Sequence, residues 1–458
     1  MALLPLLQQS WLELHKTPFH VLLFFVLLLS FVYIFKHFRS GKPKFPPSPP
    51  KLPIIGNLHQ LGTLPHCSLH ALSKKYGPIM FLDLGCAPTV TNDIIFSNWQ
   101  ETTAANFLYY GSTDVAFSQY GEYWRQAKVI CVLKLLSLKR VQSFQYVREE
   151  EVEVSIKKIR ASCLKGAPIN LSEIIIATMK IIVIRCLFGQ KFEDNGKSKI
   201  GDLPRRVMVL LATFRFLPSL KSTFGEIDAC LDQVVQQHMI MKVDDGLPNK
   251  NDFVDSLLEL RKSGKLDFEL THKNLKSLLL DMFVGGIDST SIALEWSTRR
   301  VVGTKSHIEV EDINQINYLK CILKENMRLH PPLPLLPQET SAYVKFRGYD
   351  IPPKTKTLKY WIGQNSEEFF PDRFQDNRVD FKGLDFELIP FGGGRRRCPG
   401  MSFGVAIAEY VIANLLCWFD WKLPSANAQG KDLDMTEVNA LTVFKKIPLK
   451  LVAIPYSP

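Results

Sequence analysis

"FGGGRRRCPG", Phe391 to Gly400, sets one cysteine among four glycines and three arginines. The run that follows, Met401 to Phe419, is apolar at helical spacing, so a helix N-terminus points back at Cys398. Neighbouring positive charge and a helix N-terminus both favour thiolate over thiol, which predicts a lowered pKa for this sulfur. A cysteine of that kind serves either as a nucleophile or as a metal ligand, and the stretch alone leaves both open.

Composition narrows the setting. With 46% hydrophobic and 22% charged residues in 458, the chain can bury a sizeable core, and one large globular unit is the simplest reading. Nine cysteines, an odd number with no CxxC pair, argue against a disulfide framework or a zinc knuckle and for a reducing compartment. A net charge of +11 would suit nucleic acid, but no zinc finger or stacked aromatic-basic module accompanies it. The excess is dispersed along helix faces, as in "LKLLSLKR", Leu133 to Arg140.

The N-terminus reads as a stem. Val21 to Phe35 is an uncharged apolar run, and taken from Pro18 it gives 18 residues. As a helix it is ~27 Å long, which matches the ~27 Å core of an endoplasmic reticulum bilayer. "KHFRSGKPK", Lys36 to Lys44, follows in place of a cleavage site and by the positive-inside rule puts the later chain in the cytosol. "FPPSPPKLP", Phe45 to Pro53, carries five prolines and reads as a stiff extended stalk. The expected organisation is residues 1–44 as membrane anchor and basic stop, 45–53 as stalk and 54–458 as catalytic domain.

Beyond the stalk the 3.6-residue period dominates. It predicts helices at Ser68–Tyr76, Tyr120–Leu136, Ser143–Leu164, Leu171–Phe188, Glu226–Val243, Asn251–Ser263, Thr271–Arg299, Ile316–Leu329 and Met401–Phe419. Strand-like pieces are fewer: "IMFLDLG" near 79–85, "AYVKF" near 342–346, and "ALTVF" and "LKLVAI" towards the C-terminus. The fold class is mainly α with small β-sheets.

Three further stretches carry chemistry. "YLKCILKENMRLHPP" places Glu325 and Arg328 at i and i+3 on one helix face, and "FPDRF" offers Arg373 to close a charged network with them. "GGIDSTS", Gly285 to Ser291, interrupts an apolar helix with two glycines, each costing about 1 kcal/mol against alanine. Two readings compete: a packing notch with Ser289 bonded back to its own backbone, or a groove in which Asp288 and Ser289 face the reacting oxygen and deliver protons.

With these residues together the chain resembles the cytochrome P-450 superfamily of haem-thiolate monooxygenases, plant-type microsomal group. The likeness is carried by "PPSPPKLPIIGNLHQLGTLPH", by "YGEYWRQ" at Tyr120 to Gln126, by Glu325 and Arg328, and by the fit of F-x-x-G-x-R-x-C-x-G to Phe391, Gly394, Arg396, Cys398 and Gly400. The resemblance implies the P-450 fold behind an N-terminal transmembrane helix, and haem b with Cys398 as axial thiolate. It further implies that Phe391 shields the sulfur, that Arg396 and Trp124 hold haem propionates, that Glu325, Arg328 and Arg373 support the cysteine loop, and that Asp288 and Ser289 form the acid-alcohol pair, with Thr290 able to stand in. Insertion of one oxygen atom from O2 into a small hydrophobic, plant specialised metabolite-like substrate is then expected. An NADPH-cytochrome reductase would supply electrons at the endoplasmic reticulum membrane, since no G-x-G-x-x-G fingerprint is present.

The chain departs from the family pattern in places. Lys128 and Gln338 stand where arginines for the propionates are common, and Arg397 replaces a small or apolar residue. Segments are missing by comparison with the family after Pro88, after Leu220, after Arg300 and between Tyr360 and Phe370. The rival readings are a haem-thiolate isomerase or dehydratase that uses no O2, and a shortened, inactive membrane-anchored relative.

Overall fold

The computed structural model describes residues 23–31, 44–52, 56–77, 79–82, 98–99, 101–164, 166–189, 202–212, 217–241, 252–304, 316–359, 368–382, 385, 388–424 and 434–455. The chain forms two compact units, one of residues 1–46 with 345–350 and the other holding the remainder. In the smaller unit, residues 23–31 are helical with exposed side chains. There Lys44 and Asp350 bond reciprocally: the Lys44 amide donates to Asp350 Oδ2 at 2.7 Å, and the Asp350 amide donates to the Lys44 carbonyl at 2.8 Å. The remainder of the expected membrane run lies outside the described residues.

The larger unit is mainly helical. Its described helices are α1 (Pro65–Tyr76), α2 (Thr103–Leu108), α3 (Glu122–Val129), α4 (Leu138–Ser143), α5 (Gln145–Cys163), α6 (Leu171–Phe188), α7 (Leu203–Ala212), α8 (Leu217–Met241), α9 (Phe253–Ser263), α10 (His272–Thr304), α11 (Ile316–Leu329) and α12 (Met401–Trp418). Two antiparallel three-stranded sheets accompany them. One has the order β1 (Asn98–Trp99), β3 (Leu336–Glu339), β6 (Lys356–Lys359), and the other β2 (Ile169–Asn170), β10 (Lys450–Pro455), β7 (Phe419–Lys422). Strands β8 (Glu437–Asn439) and β9 (Val443–Lys445) pair with each other, as do β4 (Val344–Phe346) and β5 (Tyr349–Ile351), most of whose residues belong to the smaller unit.

Local chemistry accounts for the best-read boundaries. Asn170 accepts from the Glu173 amide to cap α6, which ends at Gly189 with φ +70°, a conformation glycine adopts without strain. Asp252 caps α9 in the same way, accepting from the Asp255 amide at 2.8 Å. Elsewhere the structure corrects the expected boundaries. Helix α8 begins nine residues before Glu226, at Leu217, because Pro218 falls in the first turn, where its missing N–H costs nothing. The expected helix Tyr120–Leu136 is α3 followed by a π-helical segment, Ile130–Leu135. Residues 79–82 are not a strand, and the rest of "IMFLDLG" lies outside the described residues. Helices α2 and α4, of six residues each, are too short for periodicity to stand out, and the first turn of α7 carries Pro204, Arg205 and Arg206, which mask its apolar period.

Helix α10 organises the core, packing on α6, α7, α11 and α12. It and α12 are long and apolar enough to cross a bilayer, but Leu275, Leu278, Leu279 and Leu294 of the one and Ile407, Val411 and Ile412 of the other are buried in the shared core. Gly286 of α10 faces Val183 of α6 closely: a Cβ there would stand 3.3 Å from Val183 Cγ2. Gly286→Val should therefore overpack this crossing and cost about 1–3 kcal/mol. Urea unfolding checks it, and Val183→Ala in the same chain should return most of the loss.

Candidate active site

The cysteine loop is shaped by its glycines. Gly392 and Gly394 take φ of +72° and +63°, where a side chain would be strained, and this folds the loop back so that the Cys398 amide donates to the Phe391 carbonyl at 2.9 Å. The Cys398 sulfur accepts backbone N–H groups of Gly400 and Met401 at the start of α12 and opens onto an internal cavity. Trp99, Phe117, Leu136, Val183, Met208 and Leu441 are among the apolar residues lining that cavity. Phe391 lines it too and packs edge to face on Phe381 at 5.5 Å.

One expectation is reversed. Burial pushes the Cys398 thiol above its ordinary pKa, and the Gly400 and Met401 amides and the Lys128 charge, which act the other way, do not overcome it. The arginines engage other groups: Arg395 donates to the Tyr120 hydroxyl at 3.1 Å, Arg397 to the Lys382 carbonyl, and Arg396 to the carbonyls of Val115 and Ser118. The adjacent run of charge in sequence does not converge on the sulfur. A bound cation is what would ionise it, because metal ligation removes the thiol proton outright.

The wall beside the loop is built on residues 114–118. The Val115 carbonyl accepts from Trp124 Nε1 at 3.0 Å and from Arg396 at 3.2 Å, and the Arg396 guanidinium lies 4.3 Å from the Trp124 ring centroid. Lys128 donates to the Arg397 carbonyl and sits 5.7 Å from the same ring. All three side chains line the cavity, with the Trp124 N–H directed to backbone and not into the open space.

The segment hangs from α10 through Asp281, which accepts from the amides of Val115 at 2.6 Å and Ala116 at 3.2 Å. Asp114 lies close by, fully buried, capping the Phe117 amide at 2.8 Å. Burial raises both carboxyl pKa values, and the charge of Asp281 raises that of Asp114 further. Burial lowers Arg396 to about 10, with the two aspartates resisting. The sequence signal for Asp281 is a lone acid in the apolar run "LLLDMFVGG".

Glycines, hydroxyls and acid of "GGIDSTS" separate in space. Gly285, Gly286, Ser289 and Thr290 line the cavity, and Ser289 Oγ donates to the Gly285 carbonyl at 2.6 Å, the bond anticipated for a packing notch. Asp288 does not line it: Arg205 of α7 donates to its carboxylate at 2.5 Å and Thr442 at 2.6 Å. The structure brings Glu325, Arg328 and Arg373 together. Arg328 grips Glu325 with two bonds of 2.7 and 2.8 Å, Arg373 adds one of 3.1 Å, and the Phe370 amide another of 2.9 Å. Glu325 is fully buried, so all four donors meet a desolvated carboxylate.

A sulfur that receives amide donors and opens onto a mostly apolar cavity beside cationic and indole groups fits a flat apolar prosthetic group with an acidic edge. The cytochrome P450 family model matches residues 46–297 and 298–451. The chain belongs to the cytochrome P450 family. It is a haem-thiolate monooxygenase, its haem iron held by an axial cysteine thiolate. The chain is 45% identical to the phenylacetaldehyde oxime monooxygenase of Prunus mume over all of both chains. It is 44% identical to cytochrome P450 71A1 of Persea americana, covering 87% of this chain and 91% of that one, and 38% identical to desmethylyatein synthase of Sinopodophyllum hexandrum, covering 96% and 99%. The alignment with the Prunus enzyme runs over 529 positions against 458 residues here, so that relative carries segments with no counterpart in this chain. The family match itself breaks between Ser297 and Thr298, inside the continuous helix α10.

Because burial raises the pKa of Asp114, the folded protein binds a proton there that the unfolded chain gives up near pH 4. This contribution to stability is present in acid and is lost as pH rises above the ordinary carboxylate range. Asp114→Asn should flatten that fall. Urea midpoints at about pH 5 and about pH 8 should lie closer together in the variant than in the parent.

Proposed function

We propose that Cys398 is the axial ligand and that the cavity above it receives the haem and a small hydrophobic substrate. The observation that carries this reading is the placement of the Cys398 sulfur, open to an apolar cavity into which Ser289 and Thr290 also face. Phe391 and Gly394 shape the sulfur's surroundings, while Arg396, Lys128 and Trp124 form the polar wall that would face the propionates. The haem, when bound, supplies O2 activation, which thiolate donation promotes.

The chain's own part in the reaction is to exclude water and move protons. Ser289 and Thr290 line the cavity, the Ser289 hydroxyl bonded to the Gly285 carbonyl at rest, and Asp288, off the cavity, is paired with Arg205. Proton delivery therefore runs through the hydroxyls, with Asp288 engaged only when its bonds to Arg205 and Thr442 loosen. Glu325, Arg328 and Arg373 hold the segment leading to the cysteine loop. Exposed Arg395 and Arg397 suit an acidic docking face on an NADPH-cytochrome reductase.

In this reading residues 1–44 anchor the chain in the endoplasmic reticulum membrane by a single span, 45–53 form the stalk, and 54–458 make up the cytosolic catalytic domain. Substrates are small apolar plant specialised metabolites, as the cavity lining and the name of the oxime-oxidising relative suggest.

Cys398→Ala should abolish the thiolate-type Soret band of the reduced carbon-monoxide complex; its survival would remove Cys398 from the iron. Asp288→Asn should slow turnover about 10² to 10⁴-fold while haem content stays unchanged. Peroxide released per NADPH consumed is the check: unchanged coupling would exclude Asp288 from proton delivery.

A further inference from the structure

Glu437, the first residue of β8, is bonded to two imidazoles, one in helix α1 and one just after helix α11. His66 Nε2, in the first turn of α1, is 3.0 Å from one carboxylate oxygen, and His330 Nδ1, just past the end of α11, is 3.2 Å from the other. The side chains are 15% exposed for Glu437, 9% for His66 and 11% for His330, so these bonds are largely shielded from water. His330 is fixed in turn by stacking on Trp296 of α10, with ring centroids 4.0 Å and planes 5° apart. Burial would raise the Glu437 pKa, but the bonds from His330 and His66 outweigh it and hold the carboxyl down to about 2.

This clasp sits at the open end of the β8–β9 hairpin, where Glu437 is paired in register with Lys445. At the turn, Leu441 lines the cavity. The Leu441 amide donates to the Met208 carbonyl of α7 at 3.3 Å, Thr442 to Asp288, and the Val443 amide to the Pro332 carbonyl at 2.9 Å. Through Met208, itself a lining residue, the turn is joined to a second wall of the same cavity. A hairpin secured at its open end and bonded at its turn can hold one side chain at a set depth. If the histidine grip on Glu437 is released, the open end keeps the contact of Lys445 with the Trp296 ring, 5.9 Å from its centroid, but loses its carboxylate bonds, and the turn is left on bonds to elements that a ligand in the cavity would press upon.

We propose that Glu437, gripped by His66 and His330, is a positioning residue for the substrate. It sets how far Leu441 projects over the cavity and so which ligand sizes are accepted. The size selectivity rests on the haem-site reading above, whereas the clasp itself does not.

Two measurements on the full chain test it. Hydrogen exchange follows the amides of Leu441, Val443 and Lys446. In Glu437→Ala these should exchange about tenfold faster than in the parent while the amides of α12 keep their rate. Glu437→Gln, which keeps an acceptor, should return part of the protection. In the haem-loaded protein, imidazole, which needs little room beyond the iron, should bind both forms alike. Clotrimazole, whose aryl groups need the cavity, should change in affinity about tenfold. Unchanged exchange in the hairpin, faster exchange throughout the unit, or equal changes for both azoles would each overturn the proposal. A chain that takes up no haem contradicts the haem-site reading yet leaves the exchange comparison decisive. Should Glu437→Ala fail to fold, His66→Gln removes one grip only, and the same exchange comparison decides.

Discussion

Asp281 and the two backbone amides it accepts are the contact on which the cavity depends. Residues 114–118 form no helix or strand, so their amides and carbonyls need partners from elsewhere if they are to be buried. Asp281 meets the amides of Val115 and Ala116, which leaves the carbonyls of Val115 and Ser118 turned towards Trp124 and Arg396. Helix α10, this segment and the cysteine loop are thereby one bonded assembly. A carboxylate is suited to the task because one oxygen, Oδ2, receives both amides and its charge strengthens each bond.

The same logic recurs around the cavity. Glu325 gathers two guanidinium groups and an amide, Asp288 an arginine and a threonine, and Glu437 two histidines. Each acid is mostly or wholly buried, and an isolated charge there would cost far more than the folding free energy can spare, so each is surrounded by donors from other elements. A carboxylate that draws donors from several elements constrains them all at once, so the acids act as joints between helices, hairpin and loops.

The shortening of the chain can be set against this arrangement. The family match breaks at Ser297 and Thr298, past the last α10 residue that lines the cavity, Ala293. The cavity-facing part of α10 and its partners Asp281 and Asp288 precede the break, while Glu325, the cysteine loop and the hairpin follow it. What the break in the family match interrupts is the path between two groups of site residues, and both groups still meet around one cavity.

Local chemistry in the sequence was enough for the mainly helical class, for helices such as Leu171–Phe188 and Ile316–Leu329 to the residue, and for the cysteine loop. Caps, periodicity and glycine spacing are properties of neighbouring residues and are written in order along the chain. The partners of charged groups were not. Three arginines beside Cys398 looked like its electrostatic support, yet their side chains reach for carbonyls and a hydroxyl, and burial raises the thiol pKa that they were expected to lower. Asp288, next to Ser289 in sequence, is turned to Arg205 and Thr442, because successive helix positions point about 100° apart and only packing settles what lies in each direction. The joining of His66, His330 and Glu437 spans 371 residues and has no local signature. Sequence determined the elements and the reactive residue. Tertiary structure decided which charges meet, since burial and long-range pairing exist only once the chain has closed on itself.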